Sequence, residues 1–278
     1  MRRSCFLISA AFCCSACGDH EADKLDASID ADARADAAPP DVAIPAGMIA
    51  IGATTFVMGC NQALDGNCQA DELPAHDVTL SPYFIDRNEV TQADYQVCAS
   101  SGSCTPPTNT GVCIGVYDPA MRALHPVTCV TWDQANAYCQ YAGKRLPTEA
   151  EWELAARGTD RRTYPWGEGA PTCTLVNYNG ANGCSGMLDD VGAHAPGASP
   201  YGLLDMAGNA REWVADRYAV DYYTSSPMMD PTGPTSGLDH IARENSAGST
   251  LTSALRTSER SLGGATAFEG FRCARSAQ

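Results

Sequence analysis

The fourteen cysteines carry the most chemistry in this sequence, because a thiolate can bind a soft metal, attack an electrophile or close a disulfide. Cys5, Cys13, Cys14 and Cys17 belong to an apolar leader, and the ten that remain for the following domain are an even number. Cys60 and Cys68, Cys98 and Cys104, Cys113 and Cys129, and Cys173 and Cys184 are near neighbours, which leaves Cys139 and Cys273. None forms the C-x-x-C knuckle of a structural zinc site, so the spacing favours disulfides, with connectivity open. Cross-links suit a loop-rich exported domain with 25 Gly and 17 Pro, since each restricts the unfolded chain by roughly 2–4 kcal/mol.

Other reactive residue types read as structural. Glu149, Glu151 and Glu153 fall in the first turns of a predicted helix, where a capping box and the helix dipole already account for acids. His76, His125, His194 and His240 are dispersed without H-x-H or H-x-x-x-H spacing, and no dinucleotide or phosphate loop is present. Ser246 and Ser249 have no identified base and read as turn hydroxyls, and Trp132, Trp152, Trp166 and Trp213 as core anchors. Asp30, Asp32 and Asp36 suggest a calcium loop, but Arg34 stands where another oxygen ligand is needed and no turn glycine follows.

The elements that position these groups begin after an address. Residues 1–17 have a short basic start and an apolar run from Ser4 to Cys17, too short to span a bilayer. Its end, Cys14-Ser15-Ala16-Cys17-Gly18, resembles a lipobox and makes Cys17 the expected lipidation site. Residues 18–43, rich in Asp and Ala, read as an acidic disordered tether. Residues 44–278 read as one domain. Ala50 to Met58 and His76 to Leu80 alternate as strands in the start of a meander. Thr91 with Asp94 opens a short helix to about Ala99, Thr131 caps a helix from Trp132 to Ala142 stopped at Gly143, and Thr148 with Glu151 caps one from Glu149 to Arg157 stopped at Gly158. With 44% hydrophobic residues the chain can build a core, and a net charge of −15 excludes a nucleic-acid backbone as partner.

HPVTCVTWDQANAYCQYAGKRLPTEAEWELAARG, YPWG, YGLLDMAGNAREWVAD and GFRCAR, in that order between Ile44 and Arg275, resemble the formylglycine-generating enzyme, or sulfatase-modifying factor, family. The resemblance implies a single α+β domain, disulfide-rich, with little regular secondary structure and related to the C-type-lectin-like fold. It pairs Cys139 with Cys273. It also implies calcium on a turn made here by the side chains of Asp205 and Glu212 and the carbonyls of Gly208 and Ala210, with a second calcium at Asn177 and the carbonyl of Tyr178.

Active members of the family hold copper(I) on two cysteines in the C-terminal third and use oxygen to convert a substrate cysteine to formylglycine. No cysteine lies between Cys184 and Cys273 here, the glycine-rich turn is altered to RENSAGS, and Arg211 stands where an aromatic residue is usual. Copper(I) therefore has no thiolate pair to hold it, and the expected catalytic set is empty. The expectation is an exported lipoprotein of the cell envelope, calcium-bound and non-catalytic, that binds an exported protein or peptide, with a cysteine-containing one as a candidate. The alternatives are an active formylglycine-generating or other metal-dependent oxidase, and a calcium-dependent lectin-like glycan binder.

Overall fold

A computed structural model describes residues 43–180, 184–237, 239–243, 246–264 and 267–277. Residues 1–42, with Cys17, Asp30, Asp32 and Asp36 and so all of the expected leader and all but the last residue of the expected tether, lie outside the described residues. Regular structure is sparse, at 19% helix and 20% strand, so loops carry most of the polar chemistry.

The run from Ala50 to Met58 is two strands, not one. β1 (Met48–Ile51) and β2 (Thr54–Met58) are separated at Gly52 and Ala53 and join different sheets. β2 pairs antiparallel with β3 (His76–Leu80), whereas β1 pairs with β4 (Tyr83–Asp86), so one hairpin nests inside the other pair and the expected meander does not form. Alternation explains what β2 and β3 bury: Phe56, Met58, Val78 and Leu80 face inward while Thr55 and Asp77 face solvent. β4 also pairs with the last strand, β9 (Ala274–Ser276), which brings the chain end back to the first sheet.

The helices follow their caps. α1 (Gln92–Ser100) opens at Thr91, whose hydroxyl accepts from the Asp94 amide. α2 (Trp132–Tyr141) and α3 (Glu149–Arg157) both carry complete capping boxes, Thr131 with Gln134 and Thr148 with Glu151. α3 is buried along its whole length, with Trp152, Leu154 and Ala155 in the main core beside β2, β3 and Val214. Behind it a four-stranded sheet runs in the order β7 (Arg260–Leu262), β6 (His240–Arg243), β5 (Arg211–Arg217), β8 (Glu269–Gly270). A second apolar cluster joins α1 and α2 to Trp213 and Phe271. Only Trp152 and Trp213 are core anchors; Trp132 and Trp166 are half-buried.

Five disulfides tie the loops: Cys60 to Cys68, Cys98 to Cys104, Cys113 to Cys129, Cys173 to Cys184, and Cys139 to Cys273 across 134 residues. Such a set belongs to a domain matured outside the reducing cytosol. No helix among the described residues is long and apolar enough to cross a membrane.

Candidate functional site

The segment leading into β5 folds into a turn because it places left-handed backbone where side chains can offset the strain. Asp205, Gly208 and Asn209 all have positive φ, of 56°, 72° and 54°. At Gly208 only glycine fits, since a Cβ would lie 2.2 Å from the Asn177 carbonyl oxygen. Asn209 anchors the turn: its amide nitrogen donates to Glu89 Oε2 at 2.7 Å, its oxygen accepts from Asn177 Nδ2 at 2.9 Å, and its backbone N–H donates to the Asn177 carbonyl at 2.9 Å. Glu89 Oε1 also accepts from the Ala210 amide at 2.8 Å.

Asp205 Oδ2 accepts from the Gly192 amide at 2.6 Å, and Oδ1 has no hydrogen-bond donor among the described residues. Glu212 is gripped by Arg272, with Nε to Oε2 at 2.7 Å and Nη2 to Oε1 at 2.6 Å, and Oε2 also accepts from Trp152 Nε1 at 2.8 Å. Glu89, Asp205 and Glu212 are thus all buried near one guanidinium. Burial, with the charges of Asp205 and Glu212, pushes the Glu89 carboxyl well up, and burial raises Asp205 against the pull of the Gly192 amide and Arg272. An excess of acid over base in a buried, oxygen-rich turn is an environment that a hard cation relieves. Asp205 keeps a free oxygen for one; Glu212 comes to it already neutralised by Arg272.

Asn177 and Tyr178 lie beside this turn. Asn177 Nδ2 also donates to the Met187 carbonyl at 2.8 Å, which turns the amide oxygen away from that bond. Tyr178 is buried, and its hydroxyl donates to the Pro171 carbonyl at 3.4 Å. Sequence reasoning missed Glu89 and Arg272. Glu89 is separated from Ala210 by 121 positions, and no local spacing announces a pairing that remote.

On β5, next to Glu212, Arg211 donates from Nη1 to Glu269 at 2.8 Å and from Nη2 to the Ser261 hydroxyl and the Leu262 carbonyl. Glu269 is fully buried. An internal ion pair therefore fills the place where the resemblance put an aromatic ring. Ser246 is buried in the altered turn, Ala247 N–H donates to the Asn209 carbonyl at 2.8 Å, and Ser249 N–H donates to the Ser246 carbonyl at 2.8 Å. Both serines are turn residues; Glu244 and Asn245 lie outside the described residues.

All ten cysteines from Cys60 to Cys273 are paired, so the domain has no thiol left for a soft metal. Among the described residues one group has metal-like spacing, Cys60, Cys68 and Glu72, whose ligand atoms lie within 4.8 Å of one another. Its sulfurs are bonded to each other, and Arg256 occupies the cation's place, donating to Glu72 Oε1 at 2.6 Å, to Glu72 Oε2 at 2.7 Å and to Asp65 Oδ2 at 2.9 Å.

Comparison with known proteins places this arrangement. Residues 27–277 match the family described as "Sulfatase-modifying factor enzyme 1-like domain". The chain is 32% identical over 288 residues to the formylglycine-generating enzyme of Thermomonospora curvata, covering 83% of this chain and 94% of that protein. It is 34% identical over 229 residues to the serine/threonine-protein kinase pkn1 of Chlamydia pneumoniae, where 74% of this chain spans only 35% of the longer protein. Among solved structures, PvdO from Pseudomonas aeruginosa superposes with a TM-score of 0.70 at 26% identity, covering 82% of this chain and 94% of that one. Treponema denticola variable protein 1 gives a TM-score of 0.64, also at 26% identity, covering 82% and 94%. The fold, the ordered motifs and these matches agree: the chain belongs to the sulfatase-modifying factor (FGE-sulfatase) family.

Proposed function

We propose that this chain is a non-catalytic member of the family, an exported peptide- or protein-binding domain held at a cell-envelope membrane by a lipid on Cys17. One observation carries the reading: every cysteine of the domain is consumed in a disulfide, so copper(I) lacks the sulfur pair that the family reaction requires. The Arg211–Glu269 pair supports it, because a part-buried ion pair stands where the resemblance put an aromatic ring close to the family's reaction centre. The match to part of a protein named as a kinase supports it too, since the scaffold travels with other functions. Calcium on the Asp205 turn is part of the proposal, as a structural ion and not a reactant.

Copper-loaded, lipid-free protein mixed with a cysteine-containing sulfatase-type peptide tests the first claim: oxygen consumption and aldehyde formation stay at the level of a protein-free control. A rising aldehyde signal contradicts the reading. Saturable binding to an immobilised peptide panel tests the second. For calcium, EDTA lowers the thermal midpoint by several degrees and added calcium restores it, as expected for an ion bound only by the folded state; an unchanged midpoint removes calcium from the account.

A further inference from the structure

A cavity of about 570 Å3 opens on the molecule and shares no lining residue with the Asp205 turn or the Arg211–Glu269 pair. It has the size of a small-ligand or side-chain pocket. Its apolar walls come from Leu80 and Pro82 at the β3–β4 connection, Trp132 at the start of α2, Leu146 before α3, and Pro231. Trp132 is held in place from two sides. Its Nε1 donates to the Val214 carbonyl at 2.8 Å, and one ring face stacks on His240, at 3.8 Å between centroids and 9° between planes. His240 lines a different cavity that Trp132 also borders, so the indole separates the two spaces and is presented to this one already ordered.

The charged groups of the cavity are held in place before any ligand arrives. Arg145 and Glu151 form a two-pronged pair at 2.6 Å and 2.6 Å and cancel each other's charge. Asp230 is different. Its carboxylate accepts from the Ser81 amide at 2.7 Å and the Ser81 hydroxyl at 2.8 Å, and no Lys, Arg or His among the described residues pairs with it. It is exposed, and its backbone is held at a φ of 42° by hydrogen bonds that tie this segment to Thr79. Left-handed backbone at a residue other than glycine costs free energy and persists only where the surroundings enforce it. Met228 and Met229, immediately before it, are 57% and 58% exposed and offer adaptable apolar contact.

An apolar floor with one uncompensated carboxylate at its edge, on a chain of net charge −15, recognises a ligand that is both apolar and cationic. We propose that this groove binds an extended peptide segment in which a large aliphatic or aromatic side chain stands next to Lys or Arg. The apolar side chain enters against Trp132, Leu146 and Pro82, and the neighbouring cation meets Asp230. The proposal gives the peptide-binding reading a ligand class and a location, and rests on that reading for the peptide.

Three capped peptides of equal length, with Lys-Leu, Glu-Leu or Lys-Ser at their centre, are titrated into the full chain by calorimetry and by amide chemical-shift mapping. Lys-Leu binds saturably and shifts the resonances of Trp132 and Asp230, while each of the other two binds about tenfold more weakly or not at all. Asp230→Asn weakens Lys-Leu binding about tenfold and removes its salt dependence. Asn136→Trp, a bulky residue at a half-buried α2 position on the cavity wall, abolishes binding without touching Asp230. Unchanged thermal midpoints for both variants show that neither acts by unfolding. Saturable peptide binding that survives both variants overturns the groove and leaves the peptide-binding function standing. No binding by any peptide, here or on the wider panel, overturns both. Binding of a neutral oligosaccharide in place of the peptides overturns the ligand class.

Discussion

Arg157, Arg243, Arg256, Arg260 and Arg272 are buried to 3% exposure or less, and each faces carboxylates that are buried with it. Arg243 shows what this requires: Nη1 donates to Glu149 at 2.8 Å, Nη2 to Glu153 at 3.0 Å, and Nη2 also to the Thr257 carbonyl. Removing one partner from a buried pair leaves charge without compensation, which costs about 3–5 kcal/mol. Arg243→Met is therefore expected to lose about that much stability in denaturant unfolding, and Arg243→Lys to recover only part, because an ammonium cannot reach two carboxylates and a carbonyl as a planar fork does. A loss below about 1 kcal/mol contradicts the network's role. Glu259 supplies a pH dependence. It lies 2.9 Å from Arg256, yet burial, aided by Glu72, outweighs that attraction and raises its pKa from 4.5 to about 7. A carboxyl whose folded pKa exceeds its unfolded value adds stability that is complete below the unfolded value and is lost as pH rises through the folded one. Stability should fall between pH ~5 and ~8 by an amount on the order of 2 kcal/mol, and Glu259→Gln should flatten that segment of the curve. Local spacing revealed Glu151 as a helix-capping acid; the buried roles of Glu149 and Glu153 stayed hidden because Arg243 lies 94 and 90 positions away.

Among the elements, those that depend on local chemistry were legible in the sequence and those that depend on remote partners were not. α3 begins and ends where Thr148, Glu151 and Gly158 say it must, since a capping box and a glycine at positive φ act within one turn. The stretch AIGATTFVM reads as one strand because alternation runs through it, but β4 and β3 compete for its two halves and the chain breaks between them. The four near-neighbour disulfides follow short spacings, whereas Cys139–Cys273 joins α2 to the strand end and came only from resemblance to the family. Loop length predicts an ordering of their effects. In the chain-entropy account, closing 134 residues is worth about 5 kcal/mol and closing 6 about 2. Replacing Cys139 and Cys273 by Ser should lower stability by about 2–3 kcal/mol more than replacing Cys98 and Cys104. Equal losses in paired denaturant titrations contradict the account.

For the whole molecule, the family scaffold is present and every cysteine of the domain is bridged. Ordered motifs from Ile44 to Arg275 made the family legible, and the proposal of a non-catalytic member rests on the domain's pairing scheme. Oxygen-dependent conversion of a cysteine needs sulfurs free to grip copper(I), and here the sulfurs staple loops instead. What the scaffold keeps is an acid-rich turn ordered by Glu89, Asn177 and Asn209, and a groove that shares no lining residue with it. The groove was not legible, because Leu80, Trp132, Leu146 and Pro231 come from four separate stretches with no shared period. Cysteine-by-cysteine alkylation of the unfolded, unreduced chain, read by peptide mass spectrometry, tests the central claim most directly. None of the ten cysteines from Cys60 to Cys273 should carry an adduct; adducts on two or more of them would contradict the account and return a thiolate pair to the domain.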